Sequence, residues 1–271
     1  MPQLDVTGAS LYYETDGSPT DPALLLIHAG IATLRMWDPQ VEDLARDHFV
    51  IRFDTRGYGR TESQNIEFSN RADALAILDE LGVLKATVIG ASRGGSIAID
   101  LALDEPGRVR GLVAVGSGPS GFPEVELTAR EDELFDGLDS AYESGDWAEL
   151  NRLEAELWDF GPLRTKDDLD PAFVARAYEL NAANLPRAEE SPMPQPLDPP
   201  AYGRVSDIEV PTLIAVGDHD ITPALTQYEY LVTTIPNADG CRFADSAHIP
   251  SVEQPAEFTR ILTTWLADHS L

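Results

Sequence analysis

Apolar and polar residues alternate along this chain in two rhythms, and the switches between them outline its elements. Short, mostly apolar runs at 23–27, 49–53, 86–89, 109–115 and 212–216 read as strands buried on both faces. A strand at 10–14 ends in the turn cluster Asp16-Gly17-Ser18-Pro19, and a short strand is expected at 241–243. Other segments follow helical spacing. Ala72, Leu75, Leu78 and Leu81 predict a helix over 68–81 that stops at Gly82. Further helices are predicted at 96–103, closed by Pro106, at 223–234, and at 256–268, where Phe258, Ile261, Leu262 and Trp265 share one face. Buried strands separated by helices predict an α/β fold with a mostly parallel central sheet flanked by helices.

The rhythm changes between 119 and 204. This block has no convincing strand, is acidic and helix-prone, and carries Phe122, Phe135, Tyr142, Trp147, Trp158, Phe160, Phe173 and Tyr178. Six prolines between 186 and 200 predict a stiff, non-helical return segment. The expected organisation is a core of residues 1–118 and 205–271 with a helical cap, 119–204, inserted into it. The pattern leaves open whether the cap aromatics face the core. If they do, they form an apolar acyl or alcohol pocket.

Composition narrows the function. A formal net charge of −28 disfavours nucleic acid and anionic membrane surfaces as partners. Cys241 is the single cysteine, so no intrachain disulfide can form. No signal peptide and no run of membrane-spanning length is evident, so a cytoplasmic protein is expected. A homodimer is compatible with the sequence.

The candidate chemistry starts at Gly90-Ala91-Ser92-Arg93-Gly94, between a predicted buried strand and a predicted helix. Strand, sharp turn and helix are the context of a nucleophile elbow, where close neighbours exclude a Cβ at the flanking glycines. A glycine-rich turn with Ser92 as helix N-cap is the plainer alternative. A serine hydroxyl becomes nucleophilic only beside a neutral imidazole, itself oriented by a carboxylate. Among the five histidines, His248 is the expected base, in a loop between the last short strand and the last helix. His48 precedes a strand on the wrong edge, His219 is expected to be solvated, and His269 lies in an expectedly frayed terminus. Asp220 is favoured as the acid over Asp218; both follow the strand at 212–216, on the side where α/β sheets place ligands. The oxyanion donors expected are the N–H of Arg93 and that of Gly30, with Ala29 as alternative.

With those residues in view, the chain resembles the α/β-hydrolase-fold serine hydrolases. His28-Ala29-Gly30 with Trp37 resembles the family's oxyanion loop, with Ala29 in place of the usual glycine. The stretch Asp54-Thr55-Arg56-Gly57-Tyr58-Gly59-Arg60-Thr61 is similar to its Asp-x-Arg-Gly-x-Gly-x-Ser turn, which is mainly structural. Gly217-Asp218-His219-Asp220 matches its acid loop, and His248 with Glu253-Gln254-Pro255 matches its histidine loop and final helix. The resemblance implies hydrolysis of a small ester or lactone through an acyl-enzyme on Ser92, with no metal or cofactor. Serine at the elbow sets the chain apart from the dehalogenases and epoxide hydrolases of this fold, which use aspartate. It leaves open carbon–carbon bond hydrolases, haloperoxidase-like enzymes, acyltransferases and ligand-binding receptors. The first loop and layout are somewhat similar to enol-lactonase relatives.

Overall fold

A computed structural model describes residues 2–271. Strand β1 (Gln3–Val6) turns at Gly8 into the antiparallel β2 (Ala9–Asp16). Then follow β3 (Ala23–Ile27), α1 (Asp38–Leu44), β4 (Phe49–Phe53) and two short strands, β5 (Glu62–Ser63) and β6 (Glu67–Phe68). Helix α2 (Asn70–Glu80), β7 (Ala86–Ala91), α3 (Arg93–Asp104) and β8 (Val109–Val115) complete the first half. The middle block holds α4 (Ala129–Ser144), α5 (Trp147–Glu154), a π-helical turn over Ala155–Phe160, α6 (Pro171–Ala182) and the two-residue strand β9 (Met193–Pro194). The last part is β10 (Thr212–Gly217), α7 (Thr222–Thr234), β11 (Ala238–Phe243), α8 (Pro250–Glu253) and α9 (Pro255–Asp268).

The main sheet runs in the order β1-β2-β4-β3-β7-β8-β10-β11, with β5 on β2. From β4 to β11 all neighbours are parallel; β2 runs against them, and β1, antiparallel to β2, runs with them again. Successive side chains leave a strand on opposite faces, so each apolar strand supplies two cores. Leu25, Ile27, Val88 and Leu112 pack on one face with Ile77 of α2, Ile97 and Leu101 of α3 and Leu231 of α7. Leu24, Leu26, Ile89 and Val113 pack on the other with Leu44 of α1 and Phe258, Leu262 and Trp265 of α9. Burying each such side chain contributes roughly 1.5–3 kcal/mol.

Several contacts, among them these three, fasten the middle block to the loops of the core. Glu131, in a capping box with Thr128 at the start of α4, also accepts the Thr222 N–H at 2.6 Å. Arg164 pairs with Glu253 at 2.7 Å. β9 pairs with β6, a parallel two-residue bridge at a place where no strand is predicted from the sequence. Strands this short have no period to read.

Candidate active site

β7 ends at Ala91 and the next residue, Ser92, is already the N-cap of α3. The chain must therefore reverse within one residue. Ser92 does so at φ 52° and ψ −122°, a conformation that costs a non-glycine residue on the order of 1–3 kcal/mol. Its N–H donates to Val115 O at 2.7 Å, and its carbonyl accepts from Ser117 Oγ at 2.9 Å. Bonds from both sides thus hold the strained turn against the end of β8. A Cβ on Gly90 would lie 2.2 Å from Gly94 O, and one on Gly94 would lie 2.3 Å from Ile27 O. Only glycine fits at either position.

Asp220 and His248 arrive on the loops after β10 and β11. His248 Nδ1 lies 2.8 Å from Asp220 Oδ2 and 2.9 Å from Oδ1. Both side chains are buried, and Ile221 N–H donates to Asp220 Oδ1 at 2.8 Å. A carboxylate so placed accepts from Nδ1–H, which leaves the lone pair of the neutral ring on Nε2. That Nε2 is buried and has no hydrogen-bond partner among the described residues, the Ser92 hydroxyl included. Such contacts are often long in unliganded sites and tighten with substrate.

Residues 115–117 touch Ser92 on one side and the Asp220–His248 pair on the other. Gly116, at φ +55°, lies so close to the pair that a Cβ would fall 2.9 Å from His248 O, 3.1 Å from Nδ1 and 3.2 Å from Asp220 Oδ2. Gly116 does not stand out in the sequence. Its one signal was Gly116-Ser117-Gly118 directly after a buried strand.

The other candidates lie elsewhere. Asp218 is exposed and pairs with Arg242 at 2.7 Å. His48 bonds the main-chain carbonyls of Leu44 and Leu271. His269 is not frayed: its Nδ1 bonds Trp265 O at 2.9 Å at the end of α9.

In the loop after β3, the Ala29 N–H is taken by Met36 Sδ at 3.3 Å. The N–H of Gly30 and that of Arg93, the first residue of α3, meet no acceptor among the described residues. His28 is fully buried, with Nδ1–H donating to Ala29 O at 2.7 Å and Nε2 accepting from Thr55 N–H at 3.0 Å. Burial, then the Arg93 charge, push its pKa down to about 3. His28 is therefore a neutral brace for the loop. Asp54 braces the next turn, accepting from Leu34 N–H and Arg60 N–H at 2.8 Å each.

The middle block reaches this rim through its π-helical turn. Trp158 accepts the His248 N–H on its carbonyl at 3.3 Å, and its indole lies 4.7 Å from the imidazole. Beside it Asp159 is fully buried with neither oxygen partnered among the described residues, and burial holds its carboxyl well above the usual range. A cavity of about 380 Å³ begins at Gly30 and Tyr58 and is walled by α4, α5 and α6. Of the aromatics in the block, Tyr142 and Trp147 line it. Phe122 packs on Tyr202 and Tyr230 instead, and Phe160 on Tyr178. The lining is not the apolar surface expected from the sequence, since it includes Asp139, Glu154 and Glu190.

Elbow, parallel sheet and the order of the rim loops define a hydrolase fold, and comparison with known proteins agrees. The chain belongs to the alpha/beta hydrolase fold family, whose model matches residues 22–255. It is 26% identical over 259 residues to 3-oxoadipate enol-lactonase 1 of Acinetobacter baylyi, covering 94% of this chain and 92% of that protein. It is 28% identical over 264 residues to 2-hydroxymuconate semialdehyde hydrolase of Pseudomonas sp., covering 90% and 87%. An esterase from Rhodococcus sp. superposes with a TM-score of 0.78 at 22% identity over 98% of each chain. No helix among the described residues is long and apolar enough to cross a membrane.

Proposed function

We propose that the protein is a serine hydrolase of small carboxylic esters or lactones. Ser92 Oγ attacks the carbonyl carbon while His248 Nε2 takes its proton, and Asp220 stabilises the imidazolium that forms. The Arg93 and Gly30 N–H groups hold the oxyanion. His248 returns the proton to the leaving alkoxide, and the acyl group stays on Ser92. Water, deprotonated by His248, then releases the acid. Residues 119–204 act as a cap that carries the substrate cavity and covers His248 with Trp158.

The observation that carries this reading is the buried Asp220–His248 hydrogen bond, which sets the tautomer and leaves Nε2 unpartnered among the described residues. Two details support the oxyanion assignment. Met36 Sδ takes Ala29 out of the choice, and the Gly30 N–H meets no acceptor among the described residues. The test is hydrolysis of p-nitrophenyl butyrate by the native enzyme and by Ser92→Ala. Loss of turnover with an unchanged circular dichroism spectrum is expected; undiminished turnover contradicts the assignment.

Carbon–carbon bond hydrolysis is the second reading, favoured by the likeness to a semialdehyde hydrolase. Product analysis on a panel of diketones alongside esters separates the two.

A further inference from the structure

The cavity that begins at Gly30 has an electrostatic sign. Glu154 projects from the end of α5 and is held by Asn181 Nδ2 at 2.7 Å; Asp139 stands on α4. Neither is in an ion pair among the described residues. Arg187 is the one cation among the described lining residues, and it is already matched by Glu190 at 2.8 Å. The Arg93 guanidinium lies 4.4 Å over the Tyr58 ring and lines a neighbouring cavity with Arg56, not this one. Burial of Glu154 raises its carboxyl pKa, so a positive group beside it would relieve an existing strain.

Two aromatic walls accompany these carboxylates. Tyr142 and Trp147 meet at 5.9 Å with their planes 77° apart, forming a corner open to the cavity. Aromatic faces attract alkylammonium groups, more strongly the less water surrounds them. A neutral apolar ligand would use the rings and gain nothing from Asp139 and Glu154. An anionic one would be repelled by both. The net charge of −28 adds long-range attraction for cations.

We infer that this cavity selects substrates bearing an ammonium or substituted ammonium group, which seats between the Tyr142–Trp147 corner and the Glu154 and Asp139 carboxylates while the ester lies at Gly30. The inference rests on the serine hydrolase reading for its ester, but not for its cation.

Choline and neohexyl alcohol test it, being the same skeleton with and without the positive charge. Choline should inhibit p-nitrophenyl butyrate hydrolysis at about tenfold lower concentration than the alcohol, and succinate should not inhibit. The Glu154→Gln/Asp139→Asn double variant, checked for folding by circular dichroism, should lose that preference. Added salt should weaken it in the native enzyme. Equal potency of the two compounds, or a preference that survives the double variant, overturns the inference. Tryptophan fluorescence, with Trp147→Phe as control, reads the same preference in Ser92→Ala. Failure of the cation site is thereby distinguished from failure of the hydrolase reading, which would show as absent turnover with the choline preference intact.

Discussion

The carbonyl of Trp158 accepts the N–H of His248 at 3.3 Å, and the indole of the same residue stands 4.7 Å from the imidazole with the two planes 42° apart. One residue of the middle block thus grips the histidine loop by its backbone and covers its ring. Trp158→Ala keeps the backbone bond and removes the cover. Steady-state kinetics should show kcat/KM for p-nitrophenyl butyrate lowered by about 10- to 100-fold, with Trp158→Phe restoring most of it. A loss equal in both variants would mean that the indole does more than pack.

Gly116 sets the clearance behind the Asp220–His248 pair. In Gly116→Ala the new Cβ meets His248 and Asp220 atoms at 2.9–3.2 Å, and the positive φ adds on the order of 1–2 kcal/mol of strain. Turnover should fall by about 100-fold while circular dichroism keeps the native spectrum. Full activity in this variant would show that the pair tolerates displacement.

Arg164 and Glu253 hold the same loop from its other side. Glu253 Oε2 accepts from Ser246 Oγ and Ala247 N–H at 2.9 Å each, while Arg164 Nη1 bonds Glu253 Oε1 at 2.7 Å. The pair is largely buried, with side-chain exposures of 12% and 7%, so removing one partner strands a charge. Arg164→Met should lower the urea-unfolding free energy by about 3 kcal/mol. Adding Glu253→Gln to it should cost less than Glu253→Gln costs alone. Strict additivity of the two would deny the coupling.

Much of this architecture is legible in the amino-acid sequence, and the exceptions share a cause. Runs such as 23–27 and 49–53 coincide with β3 and β4 because a strand buried on both faces must be apolar throughout. The elbow was legible because its glycines stand at a fixed short spacing around Ser92 between a strand and a helix, even though the contact that demands Gly94 comes from the distant Ile27. β6 and β9 were not, being two residues each and 126 residues apart between Glu67 and Met193. Trp158 stood in the sequence as one aromatic among eight, and nothing local singles it out as the neighbour of His248. The carboxylates of the cavity were hidden likewise: on an acidic chain, Asp139 and Glu154 look like ordinary solvated helix charges.

His28 gives the chain an acid-sensitive brace. Its folded pKa, about 3, lies below the value near 6.5 of an unfolded histidine. Below pH ~6.5 the unfolded chain takes up a proton that the folded site refuses. Stability from this residue is therefore full above pH ~6.5 and is lost as pH falls toward 3, in total on the order of 4–5 kcal/mol. Urea titrations of native protein and His28→Gln at pH 7 and pH 5 should show the native protein losing about 2 kcal/mol more than the variant. Equal losses would place His28 in contact with solvent.

Covalent capture addresses the central claim most directly. The native protein is treated with a fluorophosphonate and digested, and its peptides are mapped by mass spectrometry beside those of His248→Gln. Rapid modification confined to Ser92, slowed by at least ~100-fold in His248→Gln, is the predicted result. Modification elsewhere, or labelling of Ser92 at the same rate without the imidazole, would contradict the account.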